Sequence, residues 1–557
     1  MSTDEKIEVG DKKVAKKKLD LDDVLTEELG QLGKYQLVTI LLAAFPVIFQ
    51  AIASGEYIFT TARISTRCFI PQCDGENPEY APEWVLNAIP GTSMSSFDNC
   101  ARYRNSSAAS GGGAGQCAKE WFDSTQTEPC DEHVYQNTLS IVYDFRLACN
   151  EWKRSQIGSI RTIGTMLVQP ITGYISDRWG RRVALIINAF NTAWLGLARS
   201  FVHSYEWFLI TEVLGTSVGA GTYVSCYILV TELVGPKRRV IAGATMSTIY
   251  ALGQVVLGLV AWGVPAWRPM TRVLFAPLLL VVTYFWLISE SVRWLMSKGR
   301  YEESETILKR VAKMNKRSLS DKSLQALRAT AEAEKLRVKE KPKESWLAIQ
   351  VIRSPIMLLR CVVSPIVWIG TTLAFQGIII NALNLSGNKY LNYIYVSLVE
   401  IPGYWTAILL LDRIGRKPVL IGGFWLCAGC QFAFVFIPSG YNGLSLTLYL
   451  VSKYAISTVI TSVYVYTTEL YPTKYRHSLF AFTSMLGRIG AIVSPLTPAL
   501  ALTVWEHFPS VLFGSFALLS GLLLLLTPET LGIKLPDTME EAEQSSLRTK
   551  NDLSDLC

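Results

Sequence analysis

Long apolar runs, separated by short clusters of polar and charged residues, account for most of the chain. A helix needs about 20 apolar residues to cross the hydrocarbon core of a bilayer. Backbone polar groups inside that core must be satisfied within the segment, which a helix achieves. The pattern therefore predicts twelve membrane-spanning helices. They are expected near residues 36–58, 156–176, 183–202, 207–231, 240–265, 270–289, 356–383, 390–411, 418–437, 443–467, 478–503 and 510–527.

The spacing of these runs divides the chain into two halves of six helices each. Charged residues at helical spacing predict that the loop between the halves forms a solvated helical segment. The expected organisation is a cytoplasmic N-terminal segment at 1–34, a first half at 35–289 with an extracellular loop at 61–153, a cytoplasmic loop at 290–355, a second half at 356–527 and a cytoplasmic tail at 528–557.

Composition and charge fit one membrane unit better than several soluble domains. Half of the 557 residues are hydrophobic and 18% are charged, with a mean hydropathy of +0.26. Basic residues concentrate in the short loops on one side of the predicted bundle. Cytoplasmic loops carry this excess, so both termini are expected inside, in the plasma membrane. Anionic lipid head groups are a sufficient partner for the net charge of +7, and no nucleic acid is expected.

The cysteines agree with this topology. Six of the eleven fall in the loop after the first predicted helix, and an even set in an extracellular segment predicts three disulfides. The sequon at Asn105 in the same loop predicts N-glycosylation. Cys427 and Cys430 lie inside a predicted span and are interpreted as packing residues. The six loop cysteines, for which fifteen pairings are open, are Cys68, Cys73, Cys100, Cys117, Cys130 and Cys149.

Three short signatures occur twice in the same order. The first, Asp177-Arg178-Trp179-Gly180-Arg181-Arg182, returns 235 positions later as Asp412-Arg413-Ile414-Gly415-Arg416-Lys417. The nearly constant offset of all three indicates a duplication, with two halves that run in the same sense. The other two are Thr231-Glu232-Leu233, repeated after 237 positions as Thr468-Glu469-Leu470, and Ser289-Glu290-Ser291, repeated after 239 as Pro528-Glu529-Thr530.

These residues resemble the major facilitator superfamily, and further motifs narrow the resemblance to its solute carrier 22 family of organic ion transporters, of which we expect an invertebrate member. The resemblance covers nearly the whole chain and implies an all-α membrane fold of twelve helices in two parallel six-helix halves. One departure is that Ser289 and Val292 stand where the family usually has proline. The further motifs are Leu29 to Gln36, Arg67-Cys68, Asp144 to Trp152, Glu290 to Leu295 and Leu535 to Thr538.

The resemblance also implies that the repeated loop signatures form a latch, which makes contacts in one state of alternating access and breaks them in the other. A carboxylate there can accept from a neighbouring helix N-terminus or from an arginine, while Gly173 permits close backbone approach. The glutamates Glu232, Glu290, Glu469 and Glu529 are predicted to complete contacts with the loop arginines. The alternative is that the basic residues only hold the loop on the cytoplasmic side and that these glutamates are solvated helix ends. The predicted gating residues are Asp177, Arg178, Arg181, Asp412, Arg413, Arg416, Glu232 and Glu469.

Ionisable residues inside the predicted spans are costly in hydrocarbon, so they usually face a water-filled path or a partner. Glu400 and Lys453 are predicted to contribute to the substrate path, and the alternative is an ion pair that only orders the bundle. For Glu212 and Arg161 the structural ion pair is the preferred interpretation.

Arg488, in the eleventh predicted span, bears most directly on the substrate. At this position the family's cation transporters resemble one another in having an acid, and its anion and carnitine-type members in having arginine. A guanidinium holds a carboxylate through two parallel hydrogen bonds. With the acid at Glu400, this suits a zwitterion such as carnitine or β-alanine, although Thr222 stands where the carnitine branch has asparagine. Aromatic residues that could line the cavity and hold an ammonium, or else only pack, are Tyr223, Trp368, Trp405, Tyr464 and Tyr466.

The sequence therefore predicts a secondary transporter of small organic ions, zwitterions or cations, that works by alternating access as a monomer in the lipid bilayer. Two alternatives stay open: a potential-driven organic cation facilitator, and a non-transporting receptor or sensor on the same fold. An enzyme is not expected, since the sequence offers no nucleophile–base set, no metal-spaced histidine cluster and no nucleotide loop. No cofactor is expected, and Na⁺ or H⁺ is the possible coupling ion.

Overall fold

The computed structural model describes residues 21–94, 96–106, 117–339, 347–438, 440–472 and 475–532. The predicted tail beyond residue 532, with the Leu535 to Thr538 motif, lies outside the described residues. Twelve long helices form the bundle within the described part of the chain. They are α1 (Lys34–Thr60), α2 (Glu151–Trp179), α3 (Arg181–Arg199), α4 (Tyr205–Leu233), α5 (Arg239–Gly263), α6 (Trp267–Leu287), α7 (Pro355–Asn381), α8 (Lys389–Ile414), α9 (Arg416–Val435), α10 (Asn442–Leu470), α11 (Arg476–Val493) and α12 (Phe508–Leu524).

Nine helices of the described chain are long and apolar enough to cross a membrane by length and composition alone. Helix α12 is also apolar but has only 17 residues. Helices α2 and α3 fall outside this set, and both carry charged residues, Arg161 and Arg199 among them, that are buried inside the bundle. The predicted all-α membrane fold is confirmed. Hydropathy alone underestimates the number of membrane helices, because charges that face protein rather than lipid lower the hydropathy of the helix that carries them.

The two halves pack their helices in the same pattern, as a duplication requires. In the first half α1 packs against α5 and α3 against α4; in the second half α7 packs against α11 and α9 against α10. Buried apolar side chains fill each half, for example Leu185 and Met246 in the first and Phe424 and Phe513 in the second.

The loop between α1 and α2 forms a small domain at one end of the bundle, which we term the loop face. Three disulfides join its six cysteines, as predicted, and pair Cys68 with Cys130, Cys73 with Cys117 and Cys100 with Cys149. Three antiparallel sheets of two strands each pair β1 (Thr66–Cys68) with β6 (His133–Tyr135), β2 (Gly91–Ser93) with β3 (Ser96–Phe97) and β4 (Ala101–Asn105) with β5 (Phe122–Pro129). The short helices here are Val85–Ala88, Lys119–Trp121 and Ile141–Asp144.

A layer of helices outside the bundle covers its opposite end, which we term the tail face. Leu25 and Leu29 are buried there among residues that include Leu308 and Val311. Asn315 fixes the contact, because its Nδ2 donates to the Leu29 carbonyl at 2.9 Å. The described residues of the segment predicted at 290–355 are therefore largely helical, but one side of the helix Tyr301–Asn315 is buried rather than solvated. The helices of this layer are Leu21–Val24, Leu25–Leu29, Val292–Lys298, Tyr301–Asn315, Asp321–Lys339 and Leu347–Arg353.

Contacts between the two halves gather toward the loop face. The ring of Phe59 in α1 stacks on Tyr390 in α8 with centroids 5.8 Å apart, and Ser159 Oγ in α2 donates to the Ile492 carbonyl of α11 at 2.7 Å. Toward the tail face, a Cβ built on Gly173 of α2 would meet open space within 4 Å. The gap between the halves therefore opens at the tail face and is closed at the loop face.

Candidate functional site

At the tail face a carboxylate caps α3 where the chain leaves α2. Glu290 Oε1 accepts from the backbone N–H of Arg181 at 2.8 Å and of Arg182 at 3.1 Å. These first N–H groups have no partner within the helix, and negative charge at a helix N-terminus is favourable. Gly180 makes the approach possible: its φ is +106°, and a Cβ there would lie 2.2 Å from Glu290 Oε2.

Arg181 connects this cap to the neighbouring helices. Its Nη1 lies 3.0 Å from Asp177 Oδ1, and its Nε lies 3.5 Å from Glu232 Oε2 at the end of α4. Glu232 also accepts a hydrogen bond from the hydroxyl of Ser291. The cluster thus joins the tail-face ends of α2, α3 and α4 to the segment that follows α6.

The second half repeats the cap. Glu529 accepts from the backbone N–H groups of Arg416 and Lys417, each at 3.0 Å, and so caps α9. Gly415 has a φ of +114°, and a Cβ there would lie 2.8 Å from Glu529 Oε2. The same pair of requirements, a left-handed backbone and space for a carboxylate, therefore holds at both glycines.

The arginine contacts are repeated as well. Arg416 Nη1 lies 3.2 Å from Asp412 Oδ1, and its Nε lies 3.0 Å from Glu469 Oε2 at the end of α10. Thr530 Oγ1 donates to Glu469 at 2.6 Å, where Ser291 bonds Glu232 in the first half. Six of the eight predicted gating residues therefore fall into two matching clusters.

Four of the predicted gating residues are exposed, and other residues cap the helices; the four are Asp177, Arg178, Asp412 and Arg413. Asp177 contacts Arg181, and an arginine is one of the two partners expected for it, but its side chain is 78% exposed. Arg178 bonds the hydroxyl of Tyr174 at 2.5 Å, and Arg413 is exposed. The capping role belongs to Glu290 and Glu529, for which solvated helix ends were an open alternative. Their repetition in sequence was the available signal.

Toward the loop face, the first half contains a buried network of two acids and two bases. Arg161 Nη1 lies 2.8 Å from Glu212, and Arg199 lies 2.5 Å from both Glu212 and Glu56. All four residues are between 0% and 7% exposed. Arg161 and Glu212 thus form the ion pair preferred from the sequence, whereas Glu56 and Arg199 were missed because both lie near the ends of their predicted spans.

In the second half Glu400 of α8 and Lys453 of α10 form an ion pair at 2.9 Å, with both side chains 0% exposed. Glu400 Oε2 also accepts from the Tyr404 hydroxyl at 2.8 Å. Lys453 Nζ donates to the Phe375 carbonyl at 2.9 Å and lies 3.5 Å from the centroid of the Phe375 ring. The structure therefore brings these two predicted substrate residues together as partners of each other.

Arg488 faces the gap between the halves. It lies on α11 four residues before Ile492 and seven before Pro495, so the three share one helical face. Ile492 contacts Ser159 of α2, and a Cβ on Gly158 of α2 would lie 2.5 Å from Pro495. Arg488 sits on this stripe closer to the tail face, where the halves part. It is half-buried and makes no hydrogen bond or ion pair with any residue that the structure describes.

Aromatic residues from both halves approach each other near this level. Tyr464 of α10 is 47% exposed and packs edge-on against Trp368 of α7, with ring centroids 4.7 Å apart. From the first half, Tyr223 and Tyr227 lie within electrostatic range of Tyr464. Trp368 itself is buried and donates to Thr467 Oγ1 at 3.1 Å. Tyr223 and Tyr227, which stack on each other with centroids 6.1 Å apart, thus lie near Tyr464 of the other half, and Trp368 packs against Tyr464.

Two other predicted aromatics lie elsewhere. The Tyr466 hydroxyl lies 2.7 Å from Thr527 Oγ1 and from the Pro528 carbonyl, at the tail-face end of α12. Trp405 Nε1 donates to Thr248 Oγ1 of α5 at 3.2 Å and so bridges the halves. These contacts place Tyr466 near the Glu529 cap rather than with Arg488.

Comparisons with known proteins agree with this architecture. The family model described as sugar (and other) transporter matches residues 97–542. Solute carrier family 22 member 2 of Homo sapiens is 32% identical over 426 residues, covering 76% of this chain and 75% of that protein. The organic cation transporter protein of Drosophila melanogaster is 28% identical over 530 residues, covering 94% of each. Among solved structures, the xylose transporter XylE from E. coli matches with a TM-score of 0.57 at 17% identity, covering 90% of this chain and 100% of that one.

Proposed function

Because the chain belongs to the sugar and other transporter family and, within it, to solute carrier family 22, it is a secondary transporter, and we propose that it carries small organic ions with a carboxylate, zwitterions foremost. The observation that carries this proposal is the Arg488 side chain, which faces the gap between the halves and has no hydrogen-bond or ion-pair partner among the described residues. A cation held away from bulk water without a partner is costly, and a substrate carboxylate would supply two charge-assisted hydrogen bonds.

The second charge of the predicted site is already neutralised. A cationic substrate that used Glu400 would have to displace Lys453 from a fully buried ion pair. Removing one partner from such a pair costs about 3–5 kcal/mol. The rings of Tyr464, Tyr223 and Tyr227 can bind an ammonium without that cost, and each cation–π contact would stabilise it by about 0.5–2 kcal/mol. We therefore propose Arg488 for the carboxylate and this tyrosine group for the ammonium.

Alternating access follows from the way the halves meet. We propose that the loop face is extracellular and the tail face cytoplasmic, in the plasma membrane. The excess of basic residues in the tail-face loops and the three disulfides of the loop domain support this orientation. With that orientation the conformation is inward-facing. Rocking the halves would close the tail-face ends of α2 and α8, which carry the two arginine–carboxylate clusters.

A cation facilitator is the second candidate, because a relative of similar length is described as an organic cation transporter protein. Glu400, with Tyr404 beside it, is the group that would then bind the substrate once Lys453 had moved. Membrane potential alone would drive such a carrier.

Uptake and counterflow in proteoliposomes separate these candidates. We expect labelled β-alanine or carnitine to be taken up and counterflowed, and tetraethylammonium not to be. An inward Na⁺ or H⁺ gradient should accelerate uptake, since we propose one of these as the coupling ion. Uptake of tetraethylammonium alone, unchanged in Arg488→Lys, would establish the cation facilitator. Binding without counterflow of any of these compounds would instead favour a sensor.

A further inference from the structure

A cavity of about 100 Å³ lies between the two halves at the loop face. It is separate from the central gap, because Pro495 in its wall stands two helical turns from Arg488, roughly 10 Å along α11. Tyr57 and Ser155 line it from the first half, and Asn384 and Lys389 line it from the second. The cavity is therefore complete only while the halves are together at this face.

The charge around the cavity is positive. Arg63, Arg154 and Lys389 line it. Glu151 lies 3.2 Å from Arg63 and 2.7 Å from Arg154, so one carboxylate serves two arginines. Lys389 is half-buried and makes no hydrogen bond or ion pair within the described part of the chain. Three cations against one carboxylate leave an excess of positive charge beside the cavity.

A buried hydroxyl without a partner points to a ligand in the same place. Ser155 is 5% exposed, and its Oγ has no hydrogen-bond partner among the described residues. Buried polar groups are normally hydrogen-bonded, so an orphaned one in a cavity wall indicates an absent partner. A hydroxyl and an ammonium both donate hydrogen bonds, and beside an excess of positive charge the acceptor favoured by both is an anion.

We propose that this cavity is a binding site for a small monovalent anion, held by Lys389 and Ser155 with Arg63 and Arg154 close by. Its volume suits an ion such as chloride or a single carboxylate, and is well below the roughly 300–1,000 Å³ of sites for whole organic ligands. Since both halves supply the wall, the anion binds the conformation that is closed at the loop face. It therefore shifts the population toward that conformation.

The test uses the full-length protein in lipid nanodiscs, in gluconate buffer at constant ionic strength, because gluconate is too large for the cavity. Chloride and acetate are titrated separately while Tm is recorded. We expect a saturable rise in Tm with at least one of the two ions, and the more effective ion tells whether the site prefers a halide or a carboxylate. In Lys389→Gln and in Ser155→Ala the rise should fall by more than half. Lys153→Gln, an exposed lysine of α2 outside the cavity, should keep it.

A second readout reports the conformation. The cysteine of Gly173→Cys lies at the open tail face, and it should be alkylated faster when the ion that raised Tm is added. This acceleration should vanish in the Lys389→Gln background. The proposal is overturned if neither ion gives a saturable rise in wild-type Tm. It is also overturned if both cavity variants, folded as judged by their Tm in gluconate, respond like Lys153→Gln.

Discussion

The two halves are nearly identical at the tail face and different inside the bundle. At the tail face, each half has a glycine with positive φ, a carboxylate that caps the next helix, and an arginine between two acids. Inside the bundle the first half has a closed network of two acids and two bases. The second half has the Glu400–Lys453 ion pair and Arg488, which has no partner among the described residues. The gate has stayed symmetric after duplication, and the interior has not.

This difference indicates that the two halves have different roles. In the first half every buried charge of the network has an opposite charge within 3 Å, so the network fixes α1, α2, α3 and α4 relative to each other. In the second half a charge remains available for a solute. Substitutions of charged residues should therefore disturb folding in the first half and selectivity in the second.

The largest effect is expected for Glu212→Gln, because Glu212 neutralises both Arg161 and Arg199. Arg199 would keep Glu56, but Arg161 would lose its carboxylate, at a cost of about 3–5 kcal/mol. We expect most of the protein to be lost from the cell surface and Tm of the remainder to fall. Glu206→Gln, an exposed acid on the same helix, is the matched control. Equal surface levels for the two variants would contradict the scaffold role.

Arg488→Lys should come next, with normal surface expression but weaker binding of zwitterions. The ammonium keeps the charge and loses the planar fork, and a hydrogen bond to a charged group contributes about 1.5–3 kcal/mol, so we expect KM to rise about tenfold or more. Arg488→Asp should abolish zwitterion uptake and admit tetraethylammonium. Competition assays on surface-quantified protein measure both. If both variants are well expressed and keep wild-type affinity, Arg488 has no role in binding.

The symmetric gate predicts matched effects from its two caps. Glu290→Gln and Glu529→Gln each remove a charge from a helix N-terminus, an interaction of about 0.3–1 kcal/mol in exposed settings. We expect each to slow transport by a similar, severalfold factor without changing KM. Initial uptake rates at saturating substrate measure this. A large loss in one variant and none in the other would show that the gate, like the interior, is asymmetric.

A smaller effect is expected for Asp177→Asn and its counterpart Asp412→Asn. Both carboxylates are 78% exposed and pair only with an arginine one turn away, so they contribute little to this conformation. If they act in the opposite state, removing either charge should increase the population open at the tail face and slow uptake. Alkylation of Gly173→Cys reports that population. Unchanged alkylation and normal uptake would reduce these residues to a role in topology.

The smallest effect concerns the domain that only the first half has. Asn105→Gln should remove a glycan and increase electrophoretic mobility while leaving transport unchanged, since the residue ends strand β4 away from the gap. Glycosidase treatment of the wild type should give the same mobility. If neither change alters mobility in cells that glycosylate secreted proteins, the proposed orientation of the loop domain is wrong.

Hydrophobic patterning was sufficient to predict the helical bundle, and the repeated signatures were sufficient to predict its two matching halves. The partners of buried charges were harder to predict. Glu400 and Lys453 are 53 residues apart, and nothing local in the sequence shows that α8 and α10 place them at 2.9 Å. Arg199 and Glu56 were overlooked for a similar reason, since a charge near a span end is also compatible with the interface. The sequence likewise does not show that Arg488 lacks a partner among the residues that the structure describes.

The packing of Leu25 and Leu29 beneath Leu308 and Val311 has a practical consequence for anyone who shortens or tags this chain. A truncated version that begins at Lys34 would uncover an apolar surface and strip Asn315 of its acceptor at Leu29. Such a protein should be prone to aggregation during purification even with every membrane helix intact. Affinity tags and fluorescent reporters at the amino end should therefore be joined upstream of Leu21, so that Leu25 and Leu29 keep their packing contacts.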